Sequence, residues 1–200
     1  MLIDNNLQKE LEINIIKYHL NPHFLYNFLN NIYSLALSNS EKTPETILIF
    51  SEVIRYINTS SLKQKVNIEN EINIIKKIIK IYLIKFSKDV DIKLHFDQND
   101  SQTEIEPMIL IPLVYNALIF SDINETQGFI NINTSMETDK FSFQVQFSHL
   151  FNEVTISFDY NADITLENIQ KILTLKYGNK ASIFIHNKDY ITDYVLNIYK

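Results

Sequence analysis

His23 is the residue of this sequence best placed to do chemistry, because of the residues spaced around it. It sits in the run Asn21-Pro-His-Phe-Leu-Tyr-Asn-Phe-Leu-Asn30, an apolar helical pattern interrupted by Pro22. Asn27 and Asn30 follow it at four and seven residues, so all three polar side chains share one helical face. Leu11, Tyr18, Leu25 and Ile32 recur at seven-residue spacing on the opposite face, as in a helix packed along a seam. A neutral imidazole keeps a free lone pair that can attack phosphorus, so His23 is a candidate phosphate acceptor. Asn27 and Asn30 are then placed to hold a phosphoryl oxygen or a water. The plainer alternative is a polar helix face without chemistry. His19 and His23 have the spacing of two zinc ligands, but no third ligand stands nearby, and no metal is expected.

These residues need elements to hold them. Pattern reading gives a first helix from about Asn5 to Leu37, kinked at Pro22, then a polar break over Ser38 to Lys42. Thr43 is placed to cap a second helix with Pro44 at its first position, and Ile47, Phe50, Ile54 and Ile57 mark its buried stripe to Ser60. Such an αα-hairpin needs partners, and a four-helix bundle built by two subunits through residues 5–60 completes it.

Beyond Ser61 the pattern changes. An extended piece, Lys65–Ile68, leads into a helix with Ile72, Ile75, Ile79, Tyr82 and Phe86 on one side. Asp91–Phe96 alternates as a strand, Gln98–Gln102 reads as a loop, and Pro107–Phe120 as a buried helix. Phe129–Thr134, Phe141–Phe147 and Val154–Phe158 alternate as strands. A helix over Leu166–Leu175 ends at Tyr177-Gly178, and strands Ile183–His186 and Tyr194–Tyr199 follow. The expected class is α+β, an N-terminal helical hairpin (residues 1–62) followed by an α/β sandwich with a mixed sheet (residues 63–200).

Composition removes several functions. A net charge of −6 argues against nonspecific nucleic-acid binding. Lys76, Lys77, Lys80, Lys85 and Lys88 interleave with isoleucines at helical spacing and read as a solvated helix face. The absence of cysteine excludes disulfides and thiolate chemistry and suits the cytoplasm. The longest uncharged stretch, Pro107 to Ser121, falls short of the roughly 20 residues of a membrane span, so the chain as given reads as soluble. With only two glycines, Gly128 and Gly178, no glycine-rich phosphate cradle can form. His95, His149 and His186 stand alone in strand-like runs and read as structural or surface residues.

Taken together, Leu20-Asn-Pro-His-Phe-Leu-Tyr-Asn-Phe-Leu-Asn-Asn-Ile32 resembles the phosphoacceptor motif of the LytS-like sensor histidine kinases. Further matches follow in that family's order. Ile54-Arg55-Tyr56 resembles the end of its second helix, and Val66–Glu71 the opening of its ATP-binding domain. Pro107-Met-Ile-Leu-Ile-Pro-Leu-Val-Tyr-Asn-Ala117 resembles its N box, and Thr165-Leu-Glu-Asn-Ile169 with Tyr177-Gly178 the helix after its nucleotide lid. The resemblance spans roughly residues 7–200. It implies a dimerising hairpin plus a GHKL-type ATP-binding sandwich, a role for Asn27 beside the acceptor His23, and a response regulator as partner. It also implies that any membrane attachment runs through segments absent from this chain.

The departures are specific. Asn116 keeps the family's Mg²⁺-ATP asparagine, but Tyr115 replaces its neighbouring Glu, and Ile119, Phe120 and Ser121 replace the usual basic, His and Gly positions. The adenine-reading Asp motif falls on Phe147-Ser148-His149 or on Tyr160-Asn161-Ala162, and either loses the carboxylate. Ile164-Thr165 stand where glycines are expected, and Asp159 and Asp163 are the remaining carboxylates of that region. The expectation is a two-component protein with His23 as phosphoacceptor, Asn116 as the remnant of a Mg-ATP site, and autokinase activity weak or lost, in the role of a regulatory pseudokinase or of a phosphotransfer intermediate. The alternatives are an active ATP-dependent autokinase with a diverged pocket, and a non-catalytic dimeric protein-binding module.

Overall fold

The computed structural model describes residues 22–60, 63–84, 90–97, 103–123, 128–149 and 166–199. The expected strand Val154–Phe158, the Gln98–Gln102 loop, the boundary near residue 62 and the first helix before Pro22 lie outside the described residues. Helix α1 spans Pro22–Leu37 and α2 spans Thr43–Ser60. Strand β1 (Val66–Asn67) leads into α3 (Ile68–Leu83), followed by β2 (Asp91–His95), β3 (Glu104–Ile105) and α4 (Leu110–Phe120). Strands β4 (Phe129–Glu137) and β5 (Lys140–Ser148), helix α5 (Leu166–Tyr177), and strands β6 (Ala181–Lys188) and β7 (Ile191–Tyr199) complete it.

The main sheet has the order β2-β4-β5-β7-β6, with β2 parallel to β4 and every other pairing antiparallel. It is the expected mixed sheet. Alternation in β4, β5 and β7 sends Ile130, Ile132, Phe141, Phe143, Val145, Phe147, Tyr194 and Leu196 into the core. The opposite face is polar: Gln144 donates to Asp193 and the Ser142 hydroxyl to Asn197. Val66 pairs with Ile105 in a small antiparallel ribbon that sequence patterning missed, since β1 and β3 have only two residues each.

Helix α4 is buried nearly all round, from Leu110 to Leu118, because it lies against β4 and β5 and against α3, with Tyr115 reaching α1. Helix α3 lies between α2 and α4. Ile74, Ile78 and Ile81 are buried along with the expected Ile72, Ile75 and Ile79, and Glu71 is buried among them. Asn67 caps α3 by accepting from the Glu69 N–H, so Ile68 opens the helix rather than ending the extended piece.

The stripe read for α2 is rotated. Ile47 is 49% exposed and Phe50 and Ile54 are half-buried, while the buried line runs Thr46, Ile49, Val53, Ile57 and Ser60. The cause is the docking of α2 on α3, fastened by the ion pairs Lys77–Glu52 and Lys80–Glu45. Thr43, read as a cap, begins the helix and donates its hydroxyl to the Ser40 carbonyl.

Candidate functional site

Pro22 is the first described residue of α1, and His23 follows it. The side chains of Pro22 and His23 lie outside the described residues, as do His19, Leu11 and Tyr18. One turn on, Asn27 is half-buried, and its Nδ2 donates to the Tyr115 hydroxyl at 2.9 Å. Asn30 is exposed and Asn31 half-buried.

Aromatic rings seat this stretch against α4. Phe24 and Phe28 are buried, with centroids 4.4 Å apart. Tyr115 meets Phe24 edge-on at 4.9 Å and lies nearly parallel to Phe28 at 6.3 Å; Phe28 also stacks on Phe50 of α2. Beside this cluster Asn27, Asn30, Asn31, Tyr82, Tyr115 and Ile119 line a pocket of about 290 Å³. Of the seam positions, Leu25 packs against the core and Ile32 is half-buried, whereas Tyr26, Leu29, Tyr33 and Leu37 stay exposed.

Asn116 is buried, and it follows Tyr115 by one residue, so the two side chains leave α4 about 100° apart. Its surroundings test the expected Mg²⁺-ATP site. Tyr115 puts a buried ring where a carboxylate was expected, and the Asp122 carboxylate accepts from the Ser148 hydroxyl. Mg²⁺ is held by carboxylate and phosphate oxygens; Tyr115 supplies none and the Asp122 carboxylate is engaged by Ser148, so among the described residues this set does not suit it. His149, at the end of β5, is buried, and neither ring nitrogen has a partner among the described residues. The Tyr160–Ala162 alternative, Asp159, Asp163 and Ile164-Thr165 lie outside the described residues. His95 and His186 are exposed.

A second junction escaped the sequence reading. The Glu71 carboxylate is fully buried and accepts from the Tyr56 hydroxyl at 2.8 Å, the Met108 N–H at 2.8 Å and the Leu110 N–H at 3.2 Å. Burial pushes Glu71 above the usual carboxylate range, and the donors from Met108, Tyr56, Leu110 and Ile111 oppose that rise only in part. Burial, followed by the charge of Glu71, likewise raises the Tyr56 phenol. The signal was present: Ile68, Glu71, Ile72 and Ile75 fall on one helical stripe, so the glutamate lies on an apolar face. Nearby the Tyr177 hydroxyl accepts from the Glu106 N–H at 2.7 Å, and burial pushes its phenol up to about 12.

Comparison with known proteins bears on residues already placed. A family model described as histidine kinase matches residues 11–90. The sensor protein LytS of Bacillus subtilis is 30% identical over 116 residues, covering 58% of this chain and 20% of that protein. The sensor histidine kinase/phosphatase LytS of Staphylococcus aureus is 22% identical over 190 residues, covering 90% of this chain and 32% of that protein. This chain thus spans about a third or less of the length of these relatives.

Among solved structures, the nucleotide-free catalytic domain of histidine kinase ThkA superposes with a TM-score of 0.53 at 18% identity, covering 68% of this chain and 94% of that one. A bacterial phosphotransferase superposes with a TM-score of 0.50 at 7% identity, covering 98% of each. At such identities these likenesses concern the fold, an α+β architecture whose mixed sheet matches histidine-kinase catalytic domains.

Proposed function

Since this chain belongs to the LytS-like family of histidine kinases, we propose that it is a two-component protein whose His23 accepts phosphate while its ATP-dependent autokinase activity is weak or lost. The observation carrying this reading is the Asn27–Tyr115 hydrogen bond. A tyrosine at the N-box position spends its hydroxyl on the acceptor helix and its volume on packing Phe24 and Phe28. Asn116 remains as the trace of a Mg²⁺-ATP site. ATP brings about four negative charges that need Mg²⁺ and oriented donors.

In this reading His23 receives its phosphoryl group from an aspartyl phosphate of a response regulator, or gives it back to that aspartate once free. The imidazole nitrogen attacks phosphorus, the acyl-phosphate P–O bond breaks, and the carboxylate leaves. Two copies assemble through the hairpin. Tyr26, Tyr33, Leu37 and Leu48 are 60–66% exposed in a stripe along α1 and α2, the apolar surface that a four-helix bundle would cover. The hairpin (residues 1–62) is then the acceptor and dimerisation unit, and residues 63–200 the ATP-binding-like unit, working in the cytoplasm. Among the described residues no helix is long and apolar enough to cross a membrane.

Calorimetric titration with Mg²⁺-ATP and with ADP, to millimolar nucleotide, tests the reading. Absence of saturable binding, together with phosphoryl transfer to His23 from a phosphorylated regulator that is abolished in His23→Ala, is the expected result. Saturable binding followed by ATP-driven labelling of His23 would replace it with a working autokinase.

A further inference from the structure

Tyr115 is doing more than filling space. Most α4 neighbours that reach the core are plain hydrocarbons, among them Leu113, Val114, Ala117 and Leu118, each fully buried. A phenylalanine would serve the contacts with Phe24 and Phe28 equally well. The phenol adds a hydroxyl to a side chain only 4% exposed, and a polar atom so placed requires a partner. That hydroxyl accepts from the Asn27 amide, one helical turn from His23. This contact does not lie in the densest part of the core. It borders the pocket of about 290 Å³ whose walls include Asn30 and Asn31 from α1, Tyr82 at the end of α3, and Ile119 one turn beyond Tyr115 on α4. That pocket leaves the Asn27 amide room to change rotamer without a backbone shift.

We propose that Tyr115 is a positioning residue that clasps the acceptor turn: its hydroxyl holds Asn27 against α4, and opening of that contact frees the amide for a phosphoryl oxygen on His23. The closed state commits one amide N–H of Asn27 to Tyr115. The open state turns the same donor toward the exposed strip of α1 that carries Asn30. A neutral hydrogen bond of this kind sets the two states apart by about five-fold. The equilibrium therefore stays close enough to balance for a docking partner to shift it. The inference rests on the acceptor role proposed for His23, and its two parts are measured separately.

The first measurement is amide hydrogen exchange over residues 24–34 in the full chain. Tyr115→Phe and Asn27→Ala are each expected to speed exchange there about five-fold, while β5 and β7 keep their protection. The double variant should show less than the product of the two single increments, because both remove the Tyr115–Asn27 contact. Unchanged exchange in Tyr115→Phe, or two independent increments in the double variant, overturns the clasp.

The second measurement is labelling of His23 by phosphoramidate, a donor whose P–N bond breaks with loss of ammonia, so that no cognate regulator is needed. Tyr115→Phe is expected to accept label about five-fold faster than the unmodified chain and Asn27→Ala more slowly. Equal rates in Tyr115→Phe and the unmodified chain overturn the role of the clasp in phosphoryl acceptance. Faster exchange with no label on His23 in any variant overturns the acceptor reading itself and leaves Tyr115 a structural tether.

Discussion

The Tyr56 hydroxyl lies 2.8 Å from the Glu71 carboxylate, and this bond ties the end of α2 to the start of α3. The same carboxylate takes the N–H groups of Met108 and Leu110, which a helix start leaves without intrahelical partners. One side chain of α3 thereby caps α4 and anchors the hairpin. Tyr56→Phe should lower stability by about 1–3 kcal/mol with the fold intact, and Glu71→Ala by more, since it also strands buried N–H donors. Urea denaturation of the three proteins checks the order.

The same residue gives a pH dependence of known sign. Burial raises the folded-state pKa of Glu71 above its ordinary value of 4.5. The stabilisation linked to its proton is fully present below about 4.5 and is lost as pH rises through the raised folded value. The melting temperature of the unmodified chain relative to Glu71→Gln should therefore climb as pH falls from neutrality toward 5. Taking the difference between the two proteins cancels the other carboxylates. A gap that is flat or narrows on acidification would contradict the assignment.

The two glycines should respond differently to alanine. A Cβ on Gly128 would sit 2.2 Å from the Asp122 carbonyl oxygen and 2.8 Å from the Ile123 Cα, so backbone must move. A loss of roughly 2 kcal/mol or more is expected, and thermal melts should show it. A Cβ on Gly178 meets nothing within 4 Å but inherits a φ of +57°, and about 1–2 kcal/mol is expected there.

Tyr33→Glu and Leu48→Glu place charges on the exposed stripe of α1 and α2, where the unmodified side chains are 63% and 60% exposed. Each should leave the helical circular-dichroism signal unchanged while dissociating the proposed dimer in sedimentation. A stripe that carries no interface would show one sedimentation coefficient for all three proteins.

Most of this molecule was legible wherever one periodicity dominated. Phe141, Phe143, Val145 and Phe147 alternate with polar residues, and β5 lies where they place it. Gly178 ends α5 in the left-handed conformation its type suggested. Legibility failed where an element is covered on both sides. Helix α3 has two buried faces, so a single stripe understated it, and the packing of α2 turned its stripe past Ile47. Within the site, the motif pointed to Asn27 and Tyr115 separately. Their hydrogen bond joins residues 88 positions apart, and no local pattern encodes such a meeting.

The strand order also constrains how the polypeptide can be assembled during synthesis. The pairing of β5 with β7 joins Lys140 to Tyr199, and β7 lies between β5 and β6 although it follows both in sequence. Among the described strands, until β7 has left the ribosome, β5 presents a bare row of backbone donors and acceptors and β6 has no neighbour. A nascent chain stalled before Ile191 would hold β5 bare on one edge and β6 unpaired, a form that chaperones and proteases would be the first to meet.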